Sequence, residues 1–437
     1  MTTTYDPTDA AYADEADTRA EMSRVFDVCH GCRRCVDLCS VFPSLFDLIE
    51  RRAQHDPSAD LLTPADQDGA AGACRHCSLC AVRCPYLPAS HEANVDFPRL
   101  MQRAAAMRLA NGHTEPGERA AARFLGRIDQ LGRTATRVPT VSSRVLGARS
   151  GSLRRRAVAR VSGASAVRPL PQYARQRFSA WFAKRPKVSL ARAVRAVTVY
   201  PTCLVDYQQP AIGHDLVKVY ERNGVECDVS RAGCCGAPSL HAGDVERFRE
   251  IAERNVERLA QEVRAGGDIV VPQPTCGSVI KHDYPHHVPG PDAELVASRT
   301  HDASEYLVEL NRSADASLDI DFDGQRFGRI TYHAPCHLRA QGNGLRSRDL
   351  LRLTGARVTV VQQCSGIDGL WGLRAGNEDE SRPAGERLGD EIDRAGGDIV
   401  AGDCHLSNVV IEERTGEVPL HPLQILARAY GISPETC

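Results

Sequence analysis

The sequence predicts an α/β chain: an α-helical N-terminal unit followed by two copies of one β–α–β module. Three observations predict it. Cysteines recur in two runs of identical spacing, C-x2-C-x2-C-x3-C, offset by 45 residues. A longer block recurs in the second half of the chain at an offset near 130 residues, and a repeat of this kind marks one structural unit used twice. Within each copy, short runs of β-branched residues alternate with stretches of helical periodicity, the pattern of a parallel sheet.

The length, 437 residues, gives room for two or three domains at about 150 residues each. With 42% hydrophobic and 25% charged residues the composition is that of a globular protein. No run approaches the roughly 18 apolar residues of a membrane-spanning helix. Residues 1–20 read as an acidic, disordered tail without the charged and apolar regions of a secretory signal, so the chain is expected in the cytoplasm. Seventeen cysteines in a reducing compartment point to metal or redox sites and not to disulfides.

Residues 21–112 carry the strongest signal. Three thiols at C-x2-C-x2-C spacing sit on a tight loop around one corner of an iron–sulfur cubane, and the fourth cysteine of the run ligates the other cluster. One [4Fe–4S] cluster is therefore assigned to Cys29, Cys32, Cys35 and Cys84, and the second to Cys74, Cys77, Cys80 and Cys39. Pro85 follows Cys84 as the pattern expects, whereas Ser40 stands in the corresponding place after Cys39. A pair of zinc sites is the competing reading, but zinc prefers C-x2-C pairs separated by a longer gap. His30 and His76, inside the ligand loops, are expected to face solvent and tune potential through hydrogen bonds.

The two modules are placed at 195–310 and 311–437. VTVYPTC ending at Cys203 matches ITYHAPC ending at Cys336, AGCCG (Cys234, Cys235) matches QQCSG (Cys364), and GGDIVVPQPTC (Cys276) matches GGDIVAGDC (Cys404). In the first copy a strand is predicted at 197–200, a helix at 212–222 ending at Gly224, a strand at Val225–Val229, a helix marked by Val245, Phe248, Ala252, Val256, Leu259 and Val263, and a short strand at Asp268–Val271. Sites in such sheets collect beyond the carboxyl ends of strands, where these cysteines fall. Cys227 lies inside a strand and reads as a core residue. Cys437 reads as an incidental exposed thiol.

Residues 113–190 form a basic linker, expected to be helical. From Arg119 to Lys187 there are 17 Lys/Arg against one acid, Asp129, although the whole chain carries only −2. Core periodicity is lacking, and 142–165 read as a linker or loosely packed arm. Phe124, Leu125, Ile128 and Leu131 beside Arg119, Arg123 and Arg127, and then Tyr173, Phe178, Trp181 and Phe182 among Arg175, Arg177, Lys184 and Arg185, fit a helix lying on an anionic membrane. A solvated face or an acidic protein partner fits the charge equally well. Nucleic acid is not expected, since no recognition motif accompanies the charge.

Two ferredoxin-type motifs followed by two "CCG" modules resemble the iron–sulfur subunit of anaerobic glycerol-3-phosphate dehydrogenase, the glycolate oxidase iron–sulfur subunit and the heterodisulfide reductase D subunit. PTCGSVIKHDYP, APCHLRAQGNG, CSGIDGLWGL and HPLQILARAYG carry the likeness to the glycerol-3-phosphate type. The resemblance implies a bacterial-ferredoxin-like dicluster domain, Rossmann-like modules, and electron flow from a flavin-containing dehydrogenase subunit toward quinone, peripherally on the inner face of the cell membrane. It implies no catalytic residue in this chain. Related heterodisulfide reductases use five module cysteines for disulfide chemistry, the alternative function here. The first module keeps Cys203, Cys234, Cys235 and Cys276, enough for a third cluster, with Val279 at the fifth position. The second keeps Cys336, Cys364 and Cys404, with Ser365 and Ser407 at the others. It leaves open zinc, completed by His333, His337 or His405, or a vestigial site. There is no G-x-G-x-x-G after a strand to mark a flavin or nicotinamide site in the chain itself.

Overall fold

A computed structural model describes residues 5–53, 55–137, 151–170, 172–186, 188, 193, 195–314, 316–342, 344–367 and 371–434. The dicluster unit is helical. Helices Glu15–Cys32, Val41–Arg52 and Phe97–Ala110 enclose a core of Met22, Phe26, Phe42, Phe46, Leu100 and Met101. The cysteines sit on the edge of that core, so the ligand loops rest on rigid helices at one side and face the rest of the chain at the other.

The first module is a four-stranded parallel sheet of β1 (Arg195–Val199), β2 (Val225–Val229), β3 (Asp268–Val271) and β4 (Thr300–Asp302), in spatial order β2-β1-β3-β4. Its helices Pro210–Arg222 and Val245–Arg264 lie close to the bounds expected from periodicity, and Gly224 takes the left-handed φ of +73° just past the first of them. The second module repeats the order with β5 (Arg329–His333), β6 (Arg357–Val361) and β7 (Ile399–Gly402), as β6-β5-β7. β4 is an addition to the strands expected from the sequence. Its place in the second copy is taken by a single parallel bridge, Ala401 to Leu420. Both positions lead into a helix closed by a capping box: Asp302 with Glu305, and His421 with Gln424.

The modules share a core. Leu423 and Leu426, on the last helix Pro422–Ala429, and Leu350 pack into the same cluster as Val197, Leu216, Val217, Tyr220 and Val270 of the first module.

The basic linker departs most from expectation. Helices Pro116–Leu125, Ile128–Ala135, Leu153–Ser162 and Phe178–Lys184 pack onto both modules. Arg155 is buried and donates to the carbonyls of Ser165 and Arg168, while Arg168 pairs with Glu413 and donates to Ser381 Oγ. Ala164 forms an antiparallel bridge with Arg374, stitching the arm to the second module. Phe178 is fully buried against Gly213, with Trp181 and Phe182 packed against the same core, and Ile128 packs near Cys203 and Tyr207. Phe178 and Ile128 are therefore committed to the protein interior, while Trp181 and Phe182 are partly buried beside them. Residues 142–150 of the expected loose segment, and Cys437, lie outside the described residues. No described helix is long and apolar enough to cross a membrane.

Candidate iron–sulfur sites

Cysteines of both N-terminal motifs, Cys29, Cys35, Cys39, Cys74, Cys80 and Cys84, converge at one edge of the helical core. Burial raises the pKa of Cys29, and the thiols that add to the shift are, in order, Cys84, Cys35, Cys32 and Cys39. Cys35 is pushed up to about 11, by burial and then by Cys84 and Cys32. Cys80 is raised well above a free thiol, by burial and then by Cys39 and Cys74. The thiols thus act on one another across motifs: Cys84 is the strongest thiol neighbour of Cys29 and of Cys35, Cys39 is that of Cys80, and Cys39 also acts on Cys29 and Cys35. Where the two loops touch, Cys35 Sγ lies 3.3 Å from the Cys80 carbonyl.

This donor set fits a pair of cubanes. All described cysteines are free thiols, and the eight are partly covered. Partly buried thiols that raise one another's pKa are poor thiolates alone, whereas a bound cationic cluster stabilises the deprotonated form. Among the described residues no three His, Cys, Asp or Glu are drawn together tightly enough for one metal ion.

The first module brings its four cysteines into a chain of contacts. Cys203 hydrogen-bonds Cys234, Cys234 hydrogen-bonds Cys235, and Cys235 Sγ lies 3.3 Å from Cys276 Sγ. Sharing these protons pushes the Cys234 pKa well down while Cys203 and Cys235 are pushed up. The loop is held by residues that cysteine spacing does not announce. Asn255 accepts from Gly233 N and donates to the Cys234 carbonyl, Tyr284 Oη donates to the Cys235 carbonyl, and Tyr200 Oη donates to the Gly233 carbonyl. Gly236 is required at φ +87°, where a Cβ would sit 2.8 Å from the Phe248 ring. Val279, at the fifth-cysteine position, is buried in an apolar cluster.

The second module uses the same device. Gly366, φ +72°, would place a Cβ 2.5 Å from the Ser381 carbonyl. Cys364 accepts from Gly366 N at 3.3 Å, while Cys404 is buried at the start of helix His405–Thr415. Ser365 and Ser407, which stand at cysteine positions, hydrogen-bond each other at 3.1 Å. Of the three candidate histidines, His333 is bonded to the Gln363 carbonyl, and His337 lies between Thr275 Oγ1 and the His76 carbonyl, 3.7 Å from Cys336 Sγ. Burial holds His333 and His405 neutral, at pKa values of about 4.

The second ligand loop docks against both modules. Arg75, between Cys74 and Cys77, donates to Cys364 Sγ at 3.5 Å and to the Glu380 carbonyl, and its guanidinium lies 4.7 Å from the Trp371 ring centroid. Trp371 returns a hydrogen bond to the Gly72 carbonyl. His76 stacks on His241 of the first module at 4.8 Å, and His241 lies 6.3 Å from the parallel ring of His337. His76 is therefore not solvent-facing as expected: it closes a junction of three units, and burial, with Arg374 adding to it, lowers its pKa to about 4. His30 is likewise largely covered, edge-on to Phe46 at 5.5 Å.

A helical dicluster unit whose second ligand loop is clasped between two parallel-sheet cysteine modules defines an iron–sulfur protein, and comparison with known families agrees. A 4Fe-4S dicluster domain model matches residues 28–87, and a cysteine-rich domain model matches twice, at 197–281 and 330–407. The chain thus carries a 4Fe-4S dicluster domain and two cysteine-rich domains, and it is similar to proteins of iron–sulfur subunit families. It is 29% identical over 268 residues to a subunit of the anaerobic glycerol-3-phosphate dehydrogenase of Escherichia coli, covering 60% of this chain and 66% of that protein, just under two thirds. A subunit of the fumarate reductase (CoM/CoB) of Methanothermobacter marburgensis is 31% identical over 242 residues, covering 52% of this chain and 45% of that one. Lactate utilization protein A of Bacillus cytotoxicus is 27% identical over 224 residues, covering 48% and 87%.

Proposed function

We propose that the chain is an electron-transfer subunit that accepts electrons from a flavin-containing dehydrogenase and delivers them toward quinone, without substrate chemistry of its own. The observation that carries the reading is the docking of the Cys74–Cys77 loop, one end of an eight-thiol array, against the cysteine sites of both modules. In this reading the ferredoxin-like unit holds one [4Fe–4S] cluster on Cys29, Cys32, Cys35 and Cys84 and another on Cys74, Cys77, Cys80 and Cys39. Bound there, the clusters supply one-electron chemistry at potentials set by net charge, hydrogen bonds to sulfur and exposure. The protein's own part is positional. Arg75 sets a cation against Cys364, the stacked imidazoles exclude water between the loop and the modules, and Asn255 and Tyr284 fix the first Rossmann-like module's thiols for a third cluster. Cys336, Cys364 and Cys404 stand too far apart for one metal ion as placed, so they would close on zinc only by moving inward and otherwise stand as remnants of a fuller site.

The names of the relatives point to glycerol 3-phosphate or lactate, a 2-hydroxy acid, as the upstream substrate class. Delivery to quinone would place the protein on the cytoplasmic face of the membrane. Turnover of a disulfide in the modules is the weaker reading, because Val279 and the Ser365–Ser407 pair replace three thiols of a full catalytic set. The test is dye reduction by the anaerobic, flavin-free protein with glycerol 3-phosphate or lactate. None is expected until a partner flavin dehydrogenase is added. Substrate-dependent reduction by this chain alone refutes the reading.

A further inference from the structure

A cavity of about 440 Å³ opens where the dicluster unit, the basic arm and both modules meet, and its wall includes Cys74, Arg75 and His76 of the second ligand loop. That volume lies within the range of small-molecule sites. Seven arginines line it against two acids, Glu118 and Asp244. Both acids are engaged: Glu118 lies 3.3 Å from Arg108 and 3.8 Å from Arg374, and Asp244 caps a helix by accepting from Arg247 N. Arg119, Arg123 and Arg127 project from the arm at i, i+4 spacing on the exposed side and form no ion pair among the described residues. Deeper in, His76 Nδ1, Thr114 Oγ1 and the Nε atoms of Arg108 and Arg374 are buried without a hydrogen-bond partner. Buried polar atoms left unmatched are costly, and four of them on one cavity are a poor arrangement for an empty space.

We propose that this cavity binds a small anion bearing phosphate or carboxylate groups beside the second cluster's ligand loop. Guanidinium forks match the paired oxygens of either group, which separates this lining from one built of lysines. A cleft of one sign also concentrates counter-ions from solution. The bound charge sits next to Cys74, so it disfavours adding an electron to a cluster held there, and the potential of that cluster falls on binding. The cavity's assignment rests on its arginines and unpartnered polar atoms; only the effect on potential rests on the electron-carrier reading.

The experiment is calorimetric titration of the anaerobic full-length protein with inorganic phosphate, with succinate and with uncharged glycerol, paired with an EPR-monitored redox titration in each. At least one anion is expected to bind while glycerol does not. Arg123→Ala together with Arg127→Ala, two exposed sites that leave the core intact, should raise Kd roughly tenfold or more, about 1.4 kcal/mol. Arg175→Ala, outside the cavity, should leave Kd unchanged. The anion that binds should move the second cluster's potential downward in the parent protein and not in the double variant. The proposal is overturned if neither anion binds, or if binding survives the double substitution. It is equally overturned if the double variant shifts the potential with no anion present and anions add nothing, since the arginines then only balance cluster charge. Calorimetric binding without a potential shift would retain the anion site and count against the cluster assignment instead.

Discussion

Phe178→Ala should cost the folded protein about 3–5 kcal/mol, the range for removing a fully buried phenylalanine. The ring is completely buried and lies over Gly213 so closely that a Cβ there would come within 2.4 Å of it. Trp181 at 6.0 Å and His214 at 6.2 Å close two further sides. A phenylalanine buries about 150–250 Å², and at about 25 cal/mol per Å² the transfer term alone is about 4–6 kcal/mol, an upper bound that overlaps that range. Gly213 and His214 belong to helix Pro210–Arg222 and Trp181 to the helix of Phe178 itself, so a cavity left by the ring adds to the transfer term. Gly213→Ala drives a methyl into the same ring and should cost about 1–3 kcal/mol. Urea unfolding of the anaerobic protein, followed by far-UV circular dichroism, measures both. A loss below about 1 kcal/mol for Phe178→Ala, with weaker sedimentation on anionic vesicles, would refute the packed arm and restore a lipid-facing helix.

Three further outcomes follow from the thiol geometry. Cys39→Ser should disturb the EPR signal of the cluster assigned to Cys74, Cys77 and Cys80, and Cys84→Ser that of the other; substitutions that each perturb only their own motif's cluster would contradict the interlocked sets. Cys276→Ser should remove about four irons per chain if the first module is filled, and an unchanged iron count would exclude a cluster there. Loading of apo-protein should strengthen as pH rises from about 6 to about 9. Burial and neighbouring thiols raise Cys35 to about 11, and each ligand must shed its proton to bind iron, so acid opposes loading. An iron-binding curve independent of pH would contradict that account.

The legible parts of the molecule are those written in local spacing. β2, β3 and the helices after β1 and β2 follow period-2 and period-3.6 patterns, and the cysteine runs state their own chemistry. β4, three residues long, is too short to show a period. The arm misleads because arginine-rich composition looks solvated, yet Arg155 is buried once its N–H groups find the Ser165 and Arg168 carbonyls. The junction of His76, His241 and His337 draws one ring from each of three distant segments, so no window of sequence contains it. Asn255 and Tyr284 occupy ordinary helical positions, and only the folded loop shows that they hold Cys234 and Cys235.

The central claim is that the N-terminal thiols carry two electron-transferring cubanes. It is tested most directly by iron and acid-labile sulfide analysis of anaerobically purified full-length protein, coupled to an EPR-monitored reductive titration. The account predicts at least about eight irons with matching sulfide and reversible one-electron reduction of two clusters. Stoichiometric zinc with little iron, or iron that cannot be reversibly reduced, would contradict it.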